Sequence, residues 1–137
     1  MKSDMNYYDT FIEIAADFPV ETAVVPEEKG AKKTMAQLQY EMIALNPYRY
    51  TQEDVLFETY ADYNGIPTES RPLEREKFFS KGQPCLRASA LGKRYGWGVH
   101  SDAEGRVALY PIESPEYKQM VENSGIKHLK AMRSKRA

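Results

Sequence analysis

The sequence holds little of what carries most recognisable chemistry. Its 137 residues include one cysteine, one tryptophan and two histidines. A lone cysteine, Cys85, excludes an internal disulfide framework and fits a reducing compartment. His100 and His128 have no cysteine partners at zinc-ligand spacing, so no metal site is expected, and no cofactor motif stands anywhere in the chain. Gly30-Ala31-Lys32-Lys33-Thr34 ends like a phosphate-binding loop, but Lys32 and Glu27 occupy the two positions that need glycine. No run of about 18 apolar residues exists, which argues against a membrane-spanning helix. The opening MKSDMNYYD is polar and acidic where a secretory signal needs a basic and then an apolar stretch. A cytoplasmic protein without a membrane partner is expected.

What is present is an ordinary globular composition, 42% hydrophobic and 28% charged. The length is that of a single domain, 1–137, able to bury roughly two-thirds of its unfolded surface. Net charge is only −1, which argues against a general nucleic-acid binder. The distribution is uneven. Up to position 80, 15 acidic residues stand against 8 basic ones, and beyond it 5 against 11, so the halves sit at −7 and +6. Attraction between the two halves within one fold accounts for this as well as any partner does.

The stretch Cys85 to Tyr110, CLRASALGKRYGWGVHSDAEGRVALY, organises the rest. Asp102-Ala103-Glu104-Gly105 suits a three-residue hairpin closed by a glycine at positive φ. That turn sets Asp102 opposite Arg106, His100 opposite Ala108 and Gly98 opposite Tyr110, with Trp97, Val99, Val107 and Leu109 on one side as core. The other side carries Gly96, Gly98, His100, Ala108 and Tyr110. Its missing side chains leave either a shallow floor for a ligand or a space filled by a helix of the same chain.

Elsewhere, Tyr8 to Ala15 reads as a strand beside the hairpin. Thr34 with Gln37 and Thr51 with Asp54 form capping boxes. The first helix then carries the stripe Met35, Leu38, Met42 and Leu45 and stops at Asn46-Pro47. The second ends near Gly65 and shows an acidic stripe, Asp54, Glu58 and Asp62. Leu73 to Ser80 is a short helix, Arg87 to Tyr95 a helical turn or two, and Ser114-Pro115-Glu116 opens a helix that ends at Asn123-Ser124-Gly125. The tail 126–137 has Ile126, Leu129 and Met132 at helical spacing among basic residues, the pattern of a basic tail or helix. The fold class is α+β, two-layer: a small, mainly antiparallel sheet (the N-terminal strand plus the hairpin) packed with four to six helices.

Three functions compete for these residues. The preferred one is a non-enzymatic binding module for a small anionic ligand or an acidic protein segment. Its site would be Arg87, Lys93, Arg94, Tyr95, Gly96, Gly98, His100 and Tyr110, with guanidinium for charge-assisted bonds and a ring for stacking. The second is a small enzyme with His100 as general acid or base and Arg87 or Lys93 as electrophile. Cys85 beside Arg87, with His100, is a further catalytic candidate as a thiolate, though a cysteine next to leucine is more often a buried apolar residue. The third is a nucleic-acid binder working through the basic tail. Lys29, Lys32 and Lys33, before a helix start, are read as solvated. The partner is unknown, and self-assembly into a homo-oligomer stays open.

The segments NYYDTFIEIAAD, KTMAQLQYEMI, NPYRYTQEDVLFETYAD, FFSKGQPCLRAS, LGKRYGWGVHSDAEGRVALY and LKAMRSKR resemble, in order and spacing, a family of small bacterial proteins known as a domain of unknown function. The resemblance spans essentially the whole chain. It implies a single-domain cytoplasmic bacterial protein and carries no activity, cofactor or catalytic residue onto this sequence.

Overall fold

Thr34 and Thr51 fix where the first two helices begin. Each hydroxyl accepts the amide hydrogen of the third helical residue, while Gln37 and Asp54 reach back to the amides of Thr34 and Thr51. In the computed structural model, which describes residues 5–16, 22–27, 30 and 32–132, these helices are α1 (Met35–Ala44) and α2 (Gln52–Tyr63). Further along lie α3 (Arg71–Phe79), α4 (Ala90–Lys93) and α5 (Pro115–Glu122), with short 3-10 turns at Thr68–Ser70 and Leu86–Ala88. The strands are β1 (Thr10–Glu13), β2 (Trp97–Ser101), β3 (Val107–Pro111) and β4 (Lys127–Lys130).

The hairpin register is the expected one. His100 pairs with Ala108 and Gly98 with Tyr110, and Gly105 turns the chain at φ 81°. In the turn, the Asp102 carboxylate accepts the amide hydrogens of Glu104 and Arg106. β1 adds antiparallel to β2, placing Phe11 beside His100.

One strand was not expected. Residues 127–130 form β4, which pairs parallel with β1 in a sheet ordered β3-β2-β1-β4. The helical reading of 126–132 is therefore corrected; 133–137 lie outside the described residues. β1 offers a row of unpaired backbone groups on its second edge, and the tail fills it, with Lys127 N–H donating to Asp9 O and Ala131 N–H to Glu13 O, both at 2.8 Å. The pair that packs inward is Leu129 and Ala131, two residues apart as a strand requires. The sheet stays mainly antiparallel, with this one parallel edge.

Ile12, Val99, Val107, Ile43, Val55, Leu86 and Leu91 form the core between the sheet and α1, α2 and α4. The stripe expected on α1 is displaced. Ala36, Gln37, Gln39 and Ile43 are the buried residues, whereas Leu45 is 74% exposed. α1 carries two apolar rows, and the one in line with Tyr40 and Ile43 meets the sheet. Two buried glutamines brace this layer. Gln39 Oε1 accepts from the Ser89 hydroxyl at 2.6 Å. Gln52, fully buried, accepts the Leu86 amide hydrogen at 2.8 Å and donates to Met5 O.

The acidic stripe of α2 is met by α3. Arg71 donates to Glu58 at 2.7 Å and Asp62 at 2.9 Å, and Arg75 lies 3.0 Å from Asp54. Part of the attraction between acidic and basic residues is thus met within the first half of the chain. No helix among the described residues is long and apolar enough to cross a membrane.

Candidate functional site

The second face of the sheet carries Phe11, Gly98, His100, Ala108 and Tyr110. Of the two alternatives for the space at Gly98, filling by the same chain is the one observed. A Cβ built there would sit 2.5 Å from Phe11 Cζ and 2.7 Å from Tyr117 Cε2. Tyr117 comes from α5, whose start is set by Ser114 as cap and Pro115 in the first turn. Glycine at 98 therefore makes room for two rings of the same chain, not for a ligand.

Beyond Tyr110 the face stays polar. Tyr48, in the turn after α1, puts its hydroxyl 2.8 Å from His100 Nδ1 and 2.5 Å from the Tyr110 hydroxyl. The rings meet edge to face, Tyr48 on His100 at 5.6 Å and 81° and His100 on Tyr110 at 6.4 Å and 67°. Ala108, the small neighbour of His100 across the ladder, adds no bulk to this face.

Tyr48 adopts φ 59°. A bulky residue in the left-handed region is an outlier that costs on the order of 1–3 kcal/mol. The surroundings hold it there. Its amide hydrogen goes to Val107 O at 2.9 Å, and Val107 N–H returns to Tyr50 O at 2.8 Å, so the turn is sewn to the edge of β3. Asn46 closes the other side, its side-chain amide donating to Met42 O.

Burial governs the electrostatics. It pushes the Tyr48 hydroxyl well above the usual tyrosine range, and the bond to Tyr110 adds to the shift. Burial also lowers His100 below its ordinary value, opposed by the carboxylates of Asp102 and Asp9. At neutral pH the corner is a neutral imidazole bonded to a neutral phenol, with negative charge nearby. Nε2 of His100 has no bonding partner among the described residues, and no buried side-chain nitrogen or oxygen there lacks one, so Nε2 meets solvent.

The remaining expected site residues are not gathered here. Arg87 lies beside β4, at the other edge of the sheet from β3, donating from Nε to Lys130 O at 2.8 Å while its own carbonyl accepts from Met132. Lys93 and Arg94 end α4, at the far end of β2 from His100. Tyr95 O accepts from Val24, and Gly96, at φ 82°, accepts from Ile112. Trp97 is on the core side against Tyr40 and donates from Nε1 to Val24 O. Cys85 accepts a hydrogen bond from Tyr7, 3.2 Å from its hydroxyl, and not from His100. Burial first, and Cys85 second, raises Tyr7 to about 12. Lys33 pairs with Glu41 at 2.6 Å and Lys32 sits over the Tyr63 ring, while Lys29 lies outside the described residues.

A model of one family covers residues 1–137. The chain belongs to the family of unknown function DUF6157. The match spans the whole length, as the resemblance of its segments implied. No curated protein and no solved structure matches this DUF6157 chain.

Two clefts lie away from the Tyr48 corner. One, of about 500 Å³ between α1 and α2, is lined by Glu41, Asp54, Glu58 and Asp62 with Leu38 and Tyr50. Its carboxylates are those already bound to Lys33, Arg71 and Arg75. The other, of about 900 Å³, runs along α3 by Arg75 and Phe79 and faces Met5 and Glu53. Among the described residues no group of three or more His, Cys, Asp or Glu side chains could hold a metal ion.

Sequence reasoning picked out His100 and Tyr110 but missed Tyr48. Nothing in Asn46-Pro47-Tyr48 marks a tyrosine for positive φ, because the residues that favour that region are glycine, asparagine and aspartate.

Proposed function

We propose that this DUF6157 protein is a binding module for a small polar ligand, held at the corner of Tyr48, His100 and Tyr110. The observation that carries the reading is Tyr48 itself. A backbone held at φ 59° places one hydroxyl between an imidazole and a second phenol. Strain maintained by surrounding bonds points toward function more than toward stability. The ligand class differs from the anion that Arg87 and Lys93 suggested. Arg87 is bound to the Lys130 carbonyl two strands away, and the charges that act on His100 are those of Asp102 and Asp9. A neutral compound rich in hydrogen-bonding groups suits this corner better.

The bond from Tyr48 to His100 favours a second reading, in which His100 acts as general acid or base. Tyr48 and Tyr110, in place of Arg87 or Lys93, would then be its polar partners. The compartment is assigned with the function: Cys85 is the one cysteine, and we place the protein in a reducing bacterial cytoplasm.

A thermal-shift screen of wild type, His100→Ala and Arg87→Ala against neutral amides, carboxylates and phosphorylated compounds tests the reading. A neutral ligand at about 100 times its dissociation constant should stabilise wild type by about 2.7 kcal/mol. That response should persist in Arg87→Ala and vanish in His100→Ala. A response to phosphorylated compounds, lost only in Arg87→Ala, would move the site to the β4 edge and overturn the reading.

A further inference from the structure

We propose that Tyr110, Tyr48 and His100 form a proton relay with two settings, and that the ligand is a compound with a hydrogen-bond donor and acceptor side by side, such as a lactam or primary amide. The proposal rests on the site reading above and deepens it. The Tyr48 hydroxyl has a single hydrogen and two partners, His100 Nδ1 at 2.8 Å and the Tyr110 oxygen at 2.5 Å. That hydrogen serves only one of them at a time.

In the first setting Tyr48 donates to Nδ1. The imidazole then carries its hydrogen on Nε2, Tyr110 donates to Tyr48, and the outward lone pairs of Tyr110 are free to accept. In the second, Nδ1–H donates to Tyr48, Tyr48 donates to Tyr110, the Tyr110 hydrogen turns outward and Nε2 is bare. The two ends of the chain therefore exchange roles together. One end offers a donor whenever the other offers an acceptor.

Both settings keep every member neutral, which suits a half-buried corner. The charged groups facing the ring, Asp102 and Asp9, are the same in both settings, and burial disfavours the imidazolium that would break the exchange. Nε2 is not sealed from solvent and Tyr110 is partly exposed, so neither end of the chain is closed off.

A ligand with adjacent donor and acceptor matches either setting. It can also be converted. Starting from the second setting, its proton passes to Nε2, the Nδ1 proton to Tyr48, the Tyr48 proton to Tyr110 and the Tyr110 proton to the ligand's acceptor atom. Four protons each move one place, no charge is created and no co-reactant is consumed. The ligand leaves as its own tautomer, and the relay stands in its first setting, ready for the reverse passage.

The test is ring-nitrogen NMR of histidine-labelled protein, with 2-pyridone and N-methyl-2-pyridone as probes. The second probe keeps the acceptor and lacks the donor. Wild-type His100 should show both neutral tautomers in exchange. Tyr110→Phe removes the second acceptor, so Tyr48 keeps its hydrogen on Nδ1 and His100 should collapse to the Nε2–H form. 2-Pyridone should bind at least tenfold more tightly than its N-methyl analogue. A single tautomer in wild type, unchanged in Tyr110→Phe, overturns the relay, and probe-induced shifts at Tyr48 and His100 would in that case leave the binding site standing. Equal binding of the two probes overturns the ligand class. The wild-type tautomer measurement needs no variant, so a misfolded Tyr110→Phe would not rescue the proposal.

Discussion

The hydroxyl of Tyr117 accepts the amide hydrogen of Ile14 across 2.9 Å, tying α5 to the chain just beyond β1. The same ring lies edge to face on Phe11, with centroids 5.1 Å apart. One side chain thus covers the second face of the sheet and closes a backbone bond that the end of β1 leaves open. Removing only the oxygen separates the two roles. Tyr117→Phe should keep the fold and lose about 1 kcal/mol, the net worth of one such hydrogen bond. Urea unfolding monitored by circular dichroism reads this as a lower midpoint at unchanged slope.

Gly98 and Gly82 should respond in opposite ways to alanine. At Gly98 the added methyl would meet Phe11 and Tyr117, whereas at Gly82 nothing lies within 4 Å. Gly98→Ala should cost about 1–3 kcal/mol, as overpacking does. Gly82→Ala should be neutral or slightly stabilising, because it only restricts the unfolded chain. If unfolding shows the two variants equally stable, the close cover over Gly98 is wrong.

Gln52 joins three parts of the chain. Its carbonyl takes the Leu86 amide hydrogen and its amide donates to Met5 O, while alongside the Glu53 amide donates to Asn6 Oδ1 and the Glu53 carboxylate accepts from the Met5 amide. Gln52→Leu keeps the bulk but strands a buried backbone N–H, so a loss of about 1–3 kcal/mol is expected. Hydrogen exchange at Leu86 should rise by at least tenfold. Unchanged protection there would show that the bond is dispensable.

His100 links stability to pH with a definite sign. Burial holds its folded value below the ordinary 6.5, so the unfolded chain takes up a proton at this ring before the folded protein does. The ring's contribution is present in full above about 6.5 and is lost as pH falls through the lower, folded value. Wild type should therefore exceed His100→Gln in stability by more at pH 8 than at pH 5, measured by urea unfolding at each pH. A gap that widened on acidification would mean that the folded state favours the imidazolium, through Asp102 and Asp9.

How far the sequence could be read depended on whether a decision was local. The turn at Asp102 to Gly105 sets its own register, so the pairs Gly98–Tyr110 and His100–Ala108 were legible. The capping boxes at Thr34 and Thr51 are complete within four residues, so the starts of the first two helices were legible as well. Residues 127–130 were misread because their state is decided 114 or more positions away, by the open edge of β1. Helical spacing of Ile126, Leu129 and Met132 competed with a pairing that leaves no trace in the tail itself. The site was half legible for the same reason. His100 and Tyr110 sit on the hairpin, while Tyr48 arrives from a turn whose backbone is held by Val107. Arg87, Lys93 and Arg94 are close to His100 in sequence, but the fold sends Arg87 to β4 and leaves the other two at the end of α4.

The most direct test of the Tyr48 corner is chemical-shift mapping of uniformly labelled wild-type protein against a panel of small neutral amides, lactams and carboxylic acids. Saturable shifts are expected at Tyr48, His100, Tyr110 and the Asn46–Arg49 turn, with their loss in Tyr48→Phe. Shifts confined to Glu41, Asp54 and Glu58 in the cleft between α1 and α2, or to Arg87 beside β4, would contradict this expectation.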